Sequence, residues 1–298
     1  MIQRLAIIGV GLIGGSLARA LRAAGVVGEV IGCGRSAKNL ELAFNLGVID
    51  GCTRDPAVAV KDADMVLLAV PLGAMRSTFE QIGGTLAPDA VVTDAGSVKG
   101  SVVADAAAVF GQVPGWLVPG HPIAGTERSG VAASFPELYQ NRRVILTPLP
   151  QTDTEAVAKV RAMWQAAGAE VTEMDVAHHD QVLAATSHLP HMLAFGLVDT
   201  LARMQDNDEI FRYAAGGFRD FTRIASSNPV MWRDICIANA DALSAMLSRF
   251  GEEMSDLSES IRRRDGDHLL AIFTRAKTAR DCFIDGSAAQ GLDTGRSE

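Results

Sequence analysis

Apolar positions along this chain change rhythm once. Through residues 1–174 they gather in short continuous runs: Leu5–Ile8, Glu29–Gly32, Asp64–Val70, Ala90–Asp94, Trp116–Pro119, Arg143–Thr147 and Glu170–Glu173. Between them lie stretches of helical pattern, among them Ser16–Arg22, Ala37–Phe44 and Thr154–Ala167. Near-continuous apolar strands alternating with helices predict a parallel sheet covered on both faces. From about Asp175 glycines thin out, β-branched runs stop, and apolar residues recur at helical spacing. Val182, Leu183, Leu193, Leu197, Leu201 and Met204 mark a helix pair, and Trp232 to Phe250 a further helix. Ile261, Leu269, Leu270, Ile272 and Phe273 mark a third group. Residues 175–285 are therefore expected to form an all-α domain, and the small polar residues 286–298 a disordered tail. Leu193, Phe195, Leu197 and Val198 put apolar surface on more than one helix face, which predicts dimerisation through this domain.

The first run leads into Gly9-Val-Gly11-Leu12-Ile13-Gly14, and a helix follows. Gly9 allows the tight turn, Gly11 lets a pyrophosphate approach the backbone, and Gly14 lets helix and strand pack closely. A diphosphate would rest on the unpaired N–H groups at the start of that helix, at Leu12 and Ile13. Strand, glycine turn and helix together predict an α/β Rossmann-type dinucleotide-binding domain over residues 1–174. At the end of the second strand, where NAD-binding units place an acidic residue, stand Gly34, Arg35 and Ser36. A guanidinium and a hydroxyl suit a 2′-phosphate, so NADP is favoured. NAD is possible if Arg35 stacks on the adenine instead. Val70 and Pro71 are expected beside the nicotinamide, at the end of the next strand.

Arg4 and the apolar run after it could imitate a secretory leader, but glycines interrupt the run, and removing it would delete the first strand. No window has roughly 18 uninterrupted apolar residues, so no membrane span is expected and the protein is read as cytoplasmic. Its four cysteines, Cys33, Cys52, Cys236 and Cys282, lack metal-ligand or disulfide-frame spacing, and no metal is expected. A net charge of −8 argues against nucleic acid or an anionic membrane as partner. An anionic small-molecule substrate would need a local cluster of cations.

Two segments bring chemistry to the carboxyl edge of the sheet, where ligands bind in such folds. Thr93-Asp-Ala-Gly-Ser-Val-Lys-Gly100 offers the Ser97 hydroxyl and the Lys99 cation. Pro119-Gly-His-Pro-Ile-Ala-Gly-Thr-Glu127 presents His121 between a glycine and a proline, a poor place for a core residue. An ordinary histidine pKa near 6.5 suits proton acceptance near neutrality.

These segments, with Gly9–Ser16, Ser187-His-Leu-Pro-His191, Gly217-Phe-Arg-Asp-Phe-Thr-Arg-Ile-Ala225 and Met231-Trp-Arg-Asp234, resemble the prephenate/arogenate (cyclohexadienyl) dehydrogenase family of tyrosine biosynthesis. The resemblance runs in order from Gly9 to Asp234 and implies oxidative decarboxylation of prephenate or arogenate. It makes His121 the acceptor of the ring hydroxyl's proton and Ser97 the residue that shares that hydroxyl and lies against the cofactor. Arg223 becomes the anchor of a substrate carboxylate, with His191, Thr126, Trp232 and Gly216 as further substrate contacts. Trp232 is otherwise a core residue. The Gly216 segment is a lid or an effector site, His188 a hydrogen-bonded structural histidine, and the pair His179-Asp180 an interdomain polar contact. Lys99, Arg128, Arg219 and Arg223 supply the required positive cluster. A homodimer is implied as well.

The alternatives are a β-hydroxyacid or imine-type dehydrogenase of similar build and a non-catalytic NADP(H)-sensing protein. The first would use a lysine of the helical domain, yet residues 175–273 contain none. The second would have no reason to keep Ser97, His121 and Arg223 together.

Overall fold

The structure, a computed structural model, describes residues 1–126, 128–205 and 207–289. By packing it divides into a unit of residues 1–240 and a second that begins at Asp241. The first opens with β1 (Ile2–Ile8), α1 (Leu12–Ala23), β2 (Val27–Cys33), α2 (Ala37–Asn45) and β3 (Gly51–Thr53). It continues through α3 (Pro56–Val60), β4 (Met65–Leu68), α4 (Met75–Ile82), β5 (Val91–Asp94), α5 (Lys99–Phe110) and β6 (Leu117–Val118). These six strands form one parallel sheet in the order β3-β2-β1-β4-β5-β6. The order reverses between β1 and β4, which opens a crevice at their carboxyl ends. Alternation along β1 shows why its run is apolar throughout. Leu5 and Ile7 enter one core with Leu17, Leu21 and Leu67, while Ala6 and Ile8 enter another with Leu68, Phe79 and Val92.

The remaining strands differ from the expectation of one parallel sheet. β7 (Gly120–Pro122), β8 (Arg143–Leu146) and β9 (Glu170–Glu173), with α6 (Thr154–Ala166) between the last two, make a separate sheet in which β7 and β8 are antiparallel. Pro119 has no N–H to extend the ladder of β6, and its carbonyl instead accepts from Thr147 N at 2.9 Å. The chain thus turns out of the first sheet at Pro119, two residues before His121. β7 and β3 have no apolar run, which is why the hydrophobic pattern did not reveal them.

Helices follow as expected: α7 (Val176–Leu183), a π turn over Ala184–His188, α8 (Leu189–Ala202), α9 (Asn207–Arg212), α10 (Gly216–Thr222) and α11 (Pro229–Ala238). The Asn228 side chain accepts from the N–H groups of Val230 and Met231, and Pro229 opens α11. The helix expected from Trp232 to Phe250 breaks at Asn239, and α12 (Ala240–Arg263) begins there. In the second unit α12 turns at Arg264, with φ of 59°, into α13 (Gly266–Ala289). His268 Nε2 and Asp256 Oδ2, 2.9 Å apart, join the two helices. Residues 286–289, expected in the disordered tail, are thus helical, and residues 290–298 lie outside the described residues. Among the described residues no helix is long and apolar enough to cross a membrane.

Candidate active site

The crevice beside β1 is a cavity of about 550 Å³ lined by Gly9, Gly11, Gly34, Arg35, Ser36 and Asn39, with Val10, Ala69 and Gly130. Gly9 has φ of 102°, and a Cβ there would lie 2.2 Å from the Ala69 carbonyl oxygen. A Cβ on Gly14 would sit 2.6 Å from both Gly9 O and Ile7 Cγ2, so this glycine is what lets α1 lie on β1. Around Gly11 the same position meets nothing within 4 Å. Gly11 also precedes α1 without a side-chain cap, leaving the first-turn N–H groups at Leu12 and Ile13 for a ligand. Bare helix start and open cradle fit a dinucleotide diphosphate. Ser36 caps α2 by accepting from Asn39 N at 3.2 Å, and Arg35 beside it is exposed. Among the described residues no carboxylate lines this cavity. Asn39, which the sequence did not single out, closes one wall by donating to Val10 O at 2.7 Å and accepting from Val131 N at 3.3 Å. Val70 and Pro71 follow β4 at the crevice edge, with Pro71 exposed.

Ser97 and His121 lie on segments that a buried ion pair holds together. Asp94, at the end of β5, accepts from Gly96 N at 2.7 Å, from Gly120 N at 3.1 Å and from the Lys99 ammonium. Lys99 donates in addition to Gly120 O at 2.6 Å. Both charged side chains are fully buried, and burial pulls the lysine below its ordinary pKa even beside Asp94. This corrects the reading of Lys99 as a substrate-facing cation. Its charge is spent on fastening the Ser97 loop to the strand of His121. Arg128, Arg219 and Arg223 are exposed and remain as the positive groups. The importance of Asp94 was missed, although it stands inside the motif.

His121 is 8% exposed, and its Nδ1 lies 2.9 Å from Nε2 of His179, which is fully buried. His179 Nδ1 meets Asp180 Oδ1 at 2.8 Å. That carboxylate also receives the backbone N–H groups of Lys99 and Gly100, each at 2.8 Å, and so caps α5 from α7. Burial would raise the Asp180 pKa, but the hydrogen bonds from His179, Lys99 and Gly100 outweigh it and hold the carboxyl below its usual range. For His121, burial first and then the neighbouring His179, Lys99 and His188 keep the pKa well below the ordinary 6.5. The ring is neutral at neutral pH and can take a proton.

Nine residues separate His179 from His188, roughly two and a half turns of α-helix, which would place them on opposite faces. The π turn at Ala184–His188 absorbs the excess, and both side chains point inward. His188 Nδ1 lies 3.0 Å from Asn239 Nδ2, which also donates to the Asp180 carbonyl at 2.9 Å. This agrees with the structural reading of His188, and burial lowers its pKa to about 4. One turn on, His191 stacks on Trp232 with ring centres 3.7 Å apart. Burial lowers the His191 pKa, its hydrogen bond to Ser187 O opposes that, and the Arg223 charge lowers it further, so Arg223 and His191 share one neighbourhood. Trp232 is 6% exposed; its Nε1, like His188 Nε2, is buried without a partner among the described residues. Thr126 is exposed, its hydroxyl accepting from Arg128 N at 3.2 Å, and Gly216 begins α10 at the surface. No hydrogen bond among the described residues links either of them to the histidine cluster. Glu127 lies outside the described residues.

Known proteins share this arrangement of sequence and fold. The family model of the prephenate dehydrogenase nucleotide-binding domain matches residues 17–173, and that of the prephenate dehydrogenase dimerization domain matches residues 175–275. Cyclohexadienyl dehydrogenase of Zymomonas mobilis is 40% identical over 283 residues, covering 93% of this chain and 95% of the relative. Prephenate dehydrogenase of Bacillus subtilis is 36% identical over 275 residues, 92% of this chain and 74% of that one. The crystal structure of prephenate dehydrogenase from Aquifex aeolicus, in complex with hydroxyphenyl propionate and NAD+, superposes with a TM-score of 0.88. It is 38% identical, covering 95% of this chain and 99% of that one. The chain belongs to the prephenate dehydrogenase family, NAD(P)-dependent oxidoreductases of tyrosine biosynthesis.

Proposed function

We propose that this protein oxidises and decarboxylates prephenate, arogenate or both, giving 4-hydroxyphenylpyruvate or tyrosine with carbon dioxide. The observation that carries the reading is the neutral, buried His121, fastened to the Ser97 loop by Asp94 and Lys99 at the carboxyl edge of a dinucleotide-binding sheet. When bound, the nicotinamide accepts hydride from the ring carbon that bears the hydroxyl. Gly9, Gly11, Leu12, Ile13 and Gly14 hold the diphosphate, Arg35 and Ser36 the ribose end, and Val70, Pro71 and Ser97 border the reactive end. His121 accepts the hydroxyl proton as hydride leaves, while Ser97 shares the hydroxyl and keeps it aimed at the imidazole. Loss of the ring carboxylate as carbon dioxide sends its electron pair to the new carbonyl oxygen, and the resulting phenolate recovers the proton from His121. Arg223 binds a substrate carboxylate and acts by positioning. His191 and Trp232 contact the side-chain end, with Thr126 and Gly216 at its margin.

NADP is the favoured cofactor and NAD a usable one, on the exposed Arg35 and a cavity lining without a carboxylate among the described residues. A homodimer is supported by the matched dimerization domain and by Leu247, Met254 and Ile261, exposed at seven-residue spacing on α12. The working domains are residues 1–174 and 175–285, and the free cysteines suit the cytoplasm. The test is steady-state nicotinamide reduction with prephenate and arogenate crossed against NADP and NAD. Absence of turnover in all four combinations would overturn the assignment.

A further inference from the structure

Two imidazoles that meet nitrogen to nitrogen have one proton between them, and its position is set by what lies beyond. Nδ1 of His179 faces Asp180 Oδ1 at 2.8 Å, and that carboxylate is held by two backbone N–H groups at the start of α5. An ionised carboxylate can only accept, so His179 carries its proton on Nδ1 and presents a lone pair on Nε2. His121 must then donate from Nδ1 across the 2.9 Å contact, which leaves the lone pair on its own Nε2. We propose that His179 and Asp180 are positioning residues of the reaction, which set the tautomer of His121 so that Nε2 is the base. This rests on the functional reading above, in which His121 accepts the substrate proton.

The arrangement does more than orient a ring. The N–H groups that fix Asp180 belong to Lys99 and Gly100, two and three residues after Ser97. The α5 start that follows the hydroxyl-bearing loop therefore also determines, through a carboxylate and one imidazole, which nitrogen of His121 is basic. The charged and titratable groups facing His121 are His179 of α7, Lys99 of α5 and His188 of the π turn. The first of them touches its ring. His179 is fully buried, out of reach of a substrate, so its part is played through His121.

Asp180→Asn separates this role from simple capping. The amide oxygen can still accept from Gly100 N, but its NH2, standing in the place of Oδ1, gives up the Lys99 N–H and, facing His179, reverses the chain: His179 then accepts at Nδ1, donates from Nε2, and drives the His121 proton onto Nε2. Long-range 15N–1H spectra of the full-length protein, with the His121 signals identified by their loss in His121→Asn, read the tautomer without substrate. The expected result is Nδ1–H in the wild type and Nε2–H in Asp180→Asn, with kcat lowered about 100-fold or more and KM changed less than threefold. His179→Gln, which keeps an acceptor for His121, should retain at least ten times the kcat of His179→Leu. An Nε2–H tautomer in the wild type overturns the proposal, as does an unchanged tautomer in Asp180→Asn or equal kcat for the Gln and Leu variants. Failure of the wild type to turn over prephenate and arogenate would refute the functional reading alone, since the spectra need no turnover.

Discussion

Acidification from pH 7 to pH 5 should weaken the folded state, and the share of His188 in that loss can be isolated. This ring is 1% exposed, and burial brings its pKa from 6.5 to about 4. In the unfolded chain it titrates near 6.5, so below that pH the unfolded state binds the extra proton and stability falls with pH. With these two values, linkage gives a loss of about 1.8 kcal/mol between pH 7 and pH 5 from this residue. His121 and His191 are shifted in the same direction and add to it. Asp180 acts in the same direction, but its stabilisation is lost only as pH falls through the carboxylate range, below this window. Denaturant unfolding at both pH values, at one fixed protein concentration, measures the difference. His188→Asn supplies the control, because its side-chain oxygen can still accept from Asn239 in place of Nδ1. The variant should be less stable at pH 7 and should lose about 1.8 kcal/mol less than the wild type on acidification. An equal pH dependence in the two proteins would refute the account of a buried neutral imidazole.

Four other outcomes are expected. His121→Asn should lower kcat about 10² to 10⁴-fold with cofactor affinity intact, and should abolish an acid limb of the rate profile lying below pH 6.5; dinucleotide titration and pH–rate measurements check both. Arg223→Ala should raise KM for prephenate about 10 to 100-fold, from the loss of a charge-assisted contact, and an unchanged KM would remove it as the carboxylate anchor. Arg35→Ala should weaken NADP about 10 to 100-fold and leave NAD nearly unaffected, as read by equilibrium binding of each. Lys99→Met should destabilise the fold by about 3–5 kcal/mol, because it strands Asp94 in a fully buried site, and denaturant midpoints would show whether that charge matters.

Much of this molecule was legible because its core obeys simple periodicities. The strand β1 and the glycine turn after it were visible since burial on both faces forces an apolar run, and Gly9 and Gly14 are required because a Cβ there would lie 2.2 and 2.6 Å from the carbonyl oxygens of Ala69 and Gly9. Ser97 and His121 could be singled out as chemical residues at strand ends. What stayed hidden were contacts between segments distant in sequence. Lys99 looked like a cation for a substrate, because nothing in a linear pattern says that Asp94 and the Gly120 carbonyl enclose it. Asn239 carried no signal at all, since its contacts to His188 and to the Asp180 carbonyl exist only after two helices pack.

The π turn shows how a periodic reading fails at the place where function needs it to. Regular α-helix from Val176 to Ala202 would set His188 and His191 on the side away from His179. The helix then could supply partners to His121 or a stack for Trp232, but not both. One extra residue in the turn over Ala184–His188 brings the three histidines to the same side. Pro190 helps to place that break, because it has no N–H to give to the carbonyl of Thr186 and so leaves a regular ladder incomplete at this point. The Thr186 hydroxyl turns back to Val182 O at 2.7 Å in the same stretch. Ser187-His-Leu-Pro-His191 therefore unites two requirements. Its histidines supply the ring nitrogens, and its proline accompanies the change of helical phase that lets them act beside His179.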